Sequence, residues 1–292
     1  MRPRKMFCDR FKRILKFIRF SHTVFALPFA MGSMIVAAQG LPSMRVVALI
    51  LMAMILARTA AMAFNRMADW EIDKENPRTA ARHMLVSKRV GWSLVVFPSA
   101  AFILVCWFIN PLCFLLSPFA LAIVYFYSLT KRFTSFTQVF LGLALGIAPI
   151  GAWLAVKGRF ALPPLVLGSG VLFWLIGFDL IYAIQDYEFD RSKGLGSMVV
   201  KYGIAASLRL AQVMHAILLG CLFVFGIVGG LGKIYFAALL LVLGALVYEH
   251  RAAARLDIAG INKAFFQSNA FVSVVFVVAV AADVFLRSIK TS

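Results

Sequence analysis

Apolar residues run along this chain in stretches of about twenty, at about 21–39, 44–64, 91–110, 111–130, 136–156, 163–184, 206–230, 234–249 and 265–286, with polar residues confined to the short intervals between. About twenty apolar residues in an α-helix cross the hydrocarbon core of a bilayer. The alternating ten-residue segments of a transmembrane β-barrel are absent from the sequence. The pattern predicts an all-α, polytopic membrane protein with about nine transmembrane helices. One domain is expected over residues 1–292, with a basic amphipathic segment at 1–20 and the bundle over about 21–286.

Composition agrees, since 62% hydrophobic and 14% charged residues with a mean hydropathy of +0.90 do not suit a water-soluble globule. The basic N-terminal stretch leads into a run too long for a signal-peptide core, so no cleavable signal peptide is expected.

A net charge of +18 raises the question of a nucleic-acid partner, and its distribution argues against one. With the N-terminus inside, 23 Lys and Arg fall on the interior side and six on the other, with Arg58 inside the second run. This bias follows the positive-inside rule and predicts a cytoplasmic N-terminus, in the inner membrane if the cell is bacterial. Residues 10–19 alternate basic and apolar positions at helical spacing, as a segment lying on an anionic leaflet would.

Cys8, Cys106, Cys113 and Cys221 show no metal-ligand spacing and read as packing residues. His22 opens the first run and is read as a packing or capping residue. Pro98, Pro118 and Pro149 fall inside runs, where they kink helices.

The chemistry concentrates in the carboxylates. Eight of the twelve acidic residues lie in two windows, 69–75 and 179–190; the other four are Asp9, Glu249, Asp257 and Asp283. At about 100° per residue, Asn65, Asp69 and Asp73 share one helix face. Asp179, Tyr182, Asp186 and Asp190 repeat that spacing, and Asp179 is embedded among apolar residues, where an ionisable group is a functional candidate. Four runs separate the windows, so both open on the cytoplasmic side and predict one shared site. Acidic residues at helix ends commonly face water, yet two same-side windows with matched spacing argue for more. Crowded carboxylates need an offsetting cation. Mg²⁺ suits them, because it prefers oxygen ligands and is held by few carboxylates plus substrate phosphates.

Basic residues border the windows: Arg78 and Arg82 after the first, Lys131 and Arg132 at the end of the fourth run, Arg191 and Lys193 after the second. Such cations can clamp a diphosphate. Arg132 and Arg191 read more readily as topological charges, whereas Lys131 can reach from its helix end toward the shared mouth.

These residues resemble the UbiA superfamily of intramembrane aromatic prenyltransferases, of the 4-hydroxybenzoate polyprenyltransferase type. Asn65, Asp69 and Asp73 match N-x-x-x-D-x-x-x-D. Asp179, Tyr182, Asp186 and Asp190 match D-x-x-Y-x-x-x-D-x-x-x-D, and Tyr127 with Lys131 matches Y-x-x-x-K. Arg78-Thr-Ala-Ala-Arg82 resembles R-T-x-x-R, and 138–146 resembles a fifth-helix segment; His83-Met-Leu-Val-Ser87 departs from the R-P-L-P-S-G of many members. The resemblance spans about 15–285 and implies a nine-helix bundle around a central cavity. It further implies Mg²⁺ held by Asn65, Asp69, Asp73, Asp186 and Asp190, and a diphosphate bound by Arg78, Arg82, Tyr127, Lys131 and Lys193. Asp179, Tyr182 and Lys131 are its candidate catalytic residues.

The expected reaction is Mg²⁺-dependent transfer of a polyprenyl group from polyprenyl diphosphate to an aromatic acceptor, in ubiquinone or related quinone synthesis. By resemblance the acceptor is 4-hydroxybenzoate, with a menaquinone precursor as the alternative. A cation-coupled transporter is the rival class, since intramembrane Asp residues occur there too. Transporter sites lie near the midplane, whereas these carboxylates sit mainly at helix ends.

Overall fold

The computed structural model describes residues 12–18, 23–77, 79–255 and 258–291, and all regular elements among them are helical. In chain order these are α1 (Thr23–Ala38), α2 (Met44–Ala68), α3 (Trp70–Glu75), α4 (Lys88–Ile109), α5 (Pro111–Thr130), α6 (Thr137–Lys157), α7 (Leu162–Ala183), α8 (Tyr187–Ser192), α9 (Met198–Tyr202), α10 (Ile204–Val228), α11 (Lys233–Ala253) and α12 (Ile258–Thr291). Short 3₁₀ turns at Ala80–Met84 and Ile184–Asp186 link α3 to α4 and α7 to α8.

Eight of these segments, carried by α2, α4, α5, α6, α7, α10, α11 and α12, are long and apolar enough to cross a membrane. The first expected span corresponds to α1, which is equally apolar but has only 16 residues. Large apolar side chains such as Phe97, Trp107, Phe119 and Leu240 are exposed on the outer faces of these helices. A bilayer rather than water is the solvent that surface requires, and the protein is an integral, multi-pass membrane protein.

Neighbouring helices pack in sequence: α4 on α2 and α5, α6 on α5 and α7, α10 on α7, α11 on α10 and α12. Helix α1 fills the space between α6 and α12 and also meets α7. Its Phe29 anchors the core, with ring centroids 4.9 Å from Trp174 and 4.7 Å from Phe276. Helices α6 and α7 approach so closely that a Cβ on Gly146 would lie 2.7 Å from Gly168 O, and one on Gly168 would lie 2.6 Å from Gly146 O. Between helices in lipid, small residues allow this approach and the dispersion contact it brings. That explains the glycine spacing in 138–146 by packing.

Of the N-terminal segment, 12–17 is helical; Lys12, Arg13 and Lys16 are exposed, while Phe17 and Ile18 are buried in a cluster with Met67, Trp70 and Val95. This described part exposes its basic positions and docks its apolar ones over the ends of α2 and α4. Cys106 and Cys113 are free and buried, as packing residues are. At the opposite end of the bundle, Asp283 accepts from Gly232 N at 2.7 Å and pairs with Arg287 at 2.5 Å, a clamp between α12 and the α10–α11 turn.

Candidate active site

The first window begins where α2 gives way to α3. Asp69 sits at the junction with φ −92° and ψ 13°, so the helix breaks there. The break keeps register, because Asp69 N bonds Asn65 O at 3.0 Å and Asp73 N bonds Asp69 O at 2.7 Å. Asn65, Asp69 and Asp73 thus follow one another by helical turns through the bend. The second window is also broken: Asp179 and Tyr182 lie on α7, Asp186 in the 3₁₀ turn, and Asp190 on α8.

The two windows meet. Asn76 Nδ2 donates to Asp186 Oδ1 at 3.3 Å, and Lys193 Nζ pairs with Glu75 Oε2 at 2.6 Å, each joining residues more than a hundred positions apart. The loop after α8 is drawn in as well, since Gly196 N donates to Lys131 O at 3.0 Å. A Cβ on Gly196 would lie 2.4 Å from Thr134 O, so only glycine permits this seat. The end of α5 that carries Lys131 is therefore fixed to the second window.

Asp69 and Asp73 of the first window each have cations against them. Asp69, 5% exposed, receives Lys131 Nζ at 2.8 Å and Arg132 Nη2 at 3.2 Å. Burial pushes its carboxyl above the usual carboxylate range, and the Lys131 and Arg132 charges oppose that. Asp73 takes Arg82 Nη1 at 3.2 Å and Arg66 Nη1 at 3.4 Å. Asn65 Nδ2 donates to Ser128 Oγ at 3.3 Å. Glu71 differs: it is exposed, bridged by Lys74 and Lys88, and their hydrogen bonds hold its carboxyl below the usual range. It belongs to the solvated rim.

Below the windows lies a cavity of about 530 Å³ among α1, α2, α4, α5, α6, α7 and α12. Its wall is almost wholly apolar, including Phe102, Leu121, Leu145, Leu175, Phe178 and Phe265. The polar lining is concentrated in Arg58, Tyr127, Asp179 and Tyr182, with Ser117. Tyr127 is one turn before Lys131, Tyr182 one turn before Asp186, and Arg58 two turns before Asn65, so the polar lining leads toward the carboxylates. Phe119 and Ile123 of α5 line the cavity yet are exposed outward, so it also opens sideways toward lipid.

Of the residues singled out in the sequence, Asn65, Asp69, Asp73, Arg82, Lys131, Asp186 and Lys193 lie within or directly beside the contacts that join the windows, and Tyr127, Asp179 and Tyr182 line the cavity. Asp190 is tied in through its carbonyl, which accepts from Leu195 N at 2.9 Å. Arg78 and His22 lie outside the described residues. Sequence reading missed Arg58, Arg66 and Asn76, and assigned Arg132 to topology. A cation in the interior of a span was a signal for Arg58. An Asn followed by Pro, as at Asn76 and Pro77, marks only a helix stop in sequence.

The donor set is hard oxygen on both banks. Among the described residues no three His, Cys, Asp or Glu side chains converge into a self-sufficient metal cage. A Mg²⁺ ion held by one or two carboxylates and completed by substrate phosphates fits such a site.

The chain is 28% identical over 277 residues to a 4-hydroxybenzoate octaprenyltransferase of Shewanella frigidimarina, covering 94% of this chain and 96% of that one. It is 33% identical over 218 residues to a protein of the same name from Alkalilimnicola ehrlichii, 73% of this chain and 74% of that one. A 4-hydroxybenzoate solanesyltransferase of Synechocystis is 29% identical over 226 residues, 76% of each chain. Among solved structures, a UbiA homolog from Aeropyrum pernix K1 superposes with a TM-score of 0.81 at 30% identity, over 90% of this chain and 98% of that one. A UbiA homolog from Archaeoglobus fulgidus, solved with GPP and Mg²⁺, shares the fold with a TM-score of 0.72 at 20% identity, over 94% of this chain and 99% of that one. Nothing in these relatives supports a transporter. The profile of the UbiA prenyltransferase family matches residues 26–275, and the chain belongs to that family of membrane prenyltransferase enzymes.

Proposed function

We propose that this enzyme transfers a polyprenyl group from polyprenyl diphosphate to 4-hydroxybenzoate, with Mg²⁺, in ubiquinone synthesis. One observation carries the reading: two oxygen-rich windows joined by Asn76 and Asp186 stand over an apolar chamber whose lining holds a single cation among the described residues, Arg58. The acceptor carries an aromatic body, a carboxylate and a phenol, and that lining can seat all three. The names of the relatives support the same acceptor.

Asn65, Asp69, Asp73, Asp186 and Asp190 would hold Mg²⁺, which when bound supplies positive charge to the leaving diphosphate. The chain's own residues do the remainder. Lys131, Arg82 and Lys193, with Arg78 and the Tyr127 hydroxyl, bind the diphosphate oxygens and stabilise charge as the allylic C–O bond breaks. The apolar wall keeps water from the allylic cation. Arg58 orients the acceptor carboxylate so that the ring carbon beside the phenol faces C1 of the prenyl group. As the C–C bond forms, the ring proton leaves, and Asp179, with Tyr182 beside it on α7, takes it. The polyprenyl tail leaves the chamber past Phe119 and Ile123 into lipid. The positive-inside bias supports a cytoplasmic side for the windows.

The test is mass spectrometry of products after purified enzyme, Mg²⁺ and one polyprenyl diphosphate are incubated with 4-hydroxybenzoate, a dihydroxynaphthoate and homogentisate. Prenylated 4-hydroxybenzoate as the main product is expected. A product formed only from another acceptor replaces the acceptor assignment, and no product from any of them removes the reading.

A further inference from the structure

Helices α11 and α12 share a buried polar pair away from the carboxylate windows. Glu249 on α11 is 1% exposed and Asn269 on α12 is 0% exposed. Asn269 Nδ2 donates to Glu249 Oε1 at 2.7 Å and to Phe265 O at 2.8 Å, which uses both amide hydrogens. Glu249 Oε2 and Asn269 Oδ1, on the same two groups, are buried without a hydrogen-bond partner. No ion pair involves Glu249 among the described residues. His250, its chain neighbour, instead faces His215 across 2.9 Å, and His215 Nε2 lies 3.2 Å from Trp174 O.

An ionised carboxylate at this position would be buried and uncompensated, a cost that proteins avoid by neutralising the group. Two unpaired acceptors on groups already joined by one hydrogen bond are satisfied together by one proton. We propose that Glu249 carries that proton and donates it from Oε2 to Asn269 Oδ1, closing a two-bond acid–amide pair that positions Phe265 in the chamber wall. The pair holds Asn269, and Asn269 holds the Phe265 carbonyl one turn away. The Phe265 ring lies 4.6 Å from that of Tyr182 and 5.2 Å from that of Phe178, and all three line the chamber beside Asp179. Glu249 and Asn269 are thus positioning residues for the wall against which the acceptor ring rests. This kinetic consequence rests on the prenyl-transfer reading; the protonation does not.

The test therefore has two arms. Infrared difference spectra of wild type against Glu249→Gln at neutral pH should show the C=O stretch of a protonated, buried carboxylic acid in wild type only. Glutamine keeps both hydrogen bonds, with its amide donating where the hydroxyl did, so E249Q should match wild-type kinetics. Glu249→Ala and Asn269→Ala each break both hydrogen bonds of the pair, and should raise the acceptor's KM about fivefold while the KM for polyprenyl diphosphate holds. No acid band in wild type, or E249Q as impaired as E249A, overturns the neutral pair. Alanine variants with lower melting temperature but unchanged acceptor KM overturn the positioning role. Should the alanine variants not fold, the infrared band and the kinetics of E249Q decide, because that variant preserves the packing. Loss of all prenyl transfer in wild type with the band present would indict the functional reading alone.

Discussion

Asn76 Nδ2 and Asp186 Oδ1 lie 3.3 Å apart, a hydrogen bond between residues 110 positions distant that closes the first acidic window onto the second. It fixes the spacing of the two banks on which a shared diphosphate would depend. Asn76→Ala removes about 1 kcal/mol of hydrogen bonding and frees the banks to drift. The expected outcome is a severalfold rise in the Mg²⁺ concentration for half-maximal activity with little change in melting temperature. An unchanged Mg²⁺ response would mean the bridge is incidental.

Removal of the metal tests the windows more directly. A chelator should abolish turnover and added Mg²⁺ should restore it. Asp69→Asn and Asp186→Asn should each lose several kcal/mol of transition-state stabilisation while remaining folded in detergent. Near wild-type turnover in either variant would return that carboxylate to the solvated-surface reading.

The bundle was legible because bilayer thickness sets helix length and the apolar runs match it. Among the described elements, each expected run corresponds to a helix, with α1 shortest. The carboxylate spacing was legible for a similar reason, since one turn of helix survives the break at Asp69 through the backbone bonds to Asn65 and from Asp73. What pattern could not supply was contact across the fold. The Asn76 bond to Asp186 and the Arg132 bonds to Asp69 and Ala68 O depend on where loops land, and periodicity carries no such information. Arg132 shows the limit well, because a topological charge and a carboxylate partner look identical in sequence.

Lys131 and Arg132 both grip Asp69, at 2.8 and 3.2 Å, and their loss should not be equivalent. Arg132 spends its other bonds on Ala68 O and Ser128 O, so it fastens α5 to α2. Lys131, in reach of the mouth, is assigned to the diphosphate. A charge-assisted contact of about 1.5–3 kcal/mol makes Lys131→Ala raise the KM for polyprenyl diphosphate or lower kcat by roughly tenfold to a hundredfold. Arg132→Ala should chiefly lower the melting temperature. If the acceptor's KM moves in the Lys131 variant and the diphosphate's does not, the two substrate ends are reversed.

Arg58 gives the sharpest separation of the two substrates. It lies within α2, lines the apolar chamber with Tyr127, Asp179 and Tyr182, and its buried Nε has no hydrogen-bond partner. A guanidinium in such a wall suits an anion brought by the substrate, and the planar fork matches a carboxylate. Arg58→Leu should therefore cut kcat/KM for 4-hydroxybenzoate by roughly tenfold to a hundredfold, the equivalent of about 1.5–3 kcal/mol. For an acceptor that lacks the carboxylate, the same substitution should cost far less, so the preference of wild type for 4-hydroxybenzoate over the plain phenol should collapse. Arg58→Lys should retain part of the preference through charge without the fork. A parallel loss on both acceptors, or a rise confined to the KM for polyprenyl diphosphate, would place the guanidinium on the leaving group instead and remove the chamber's grip on the acceptor.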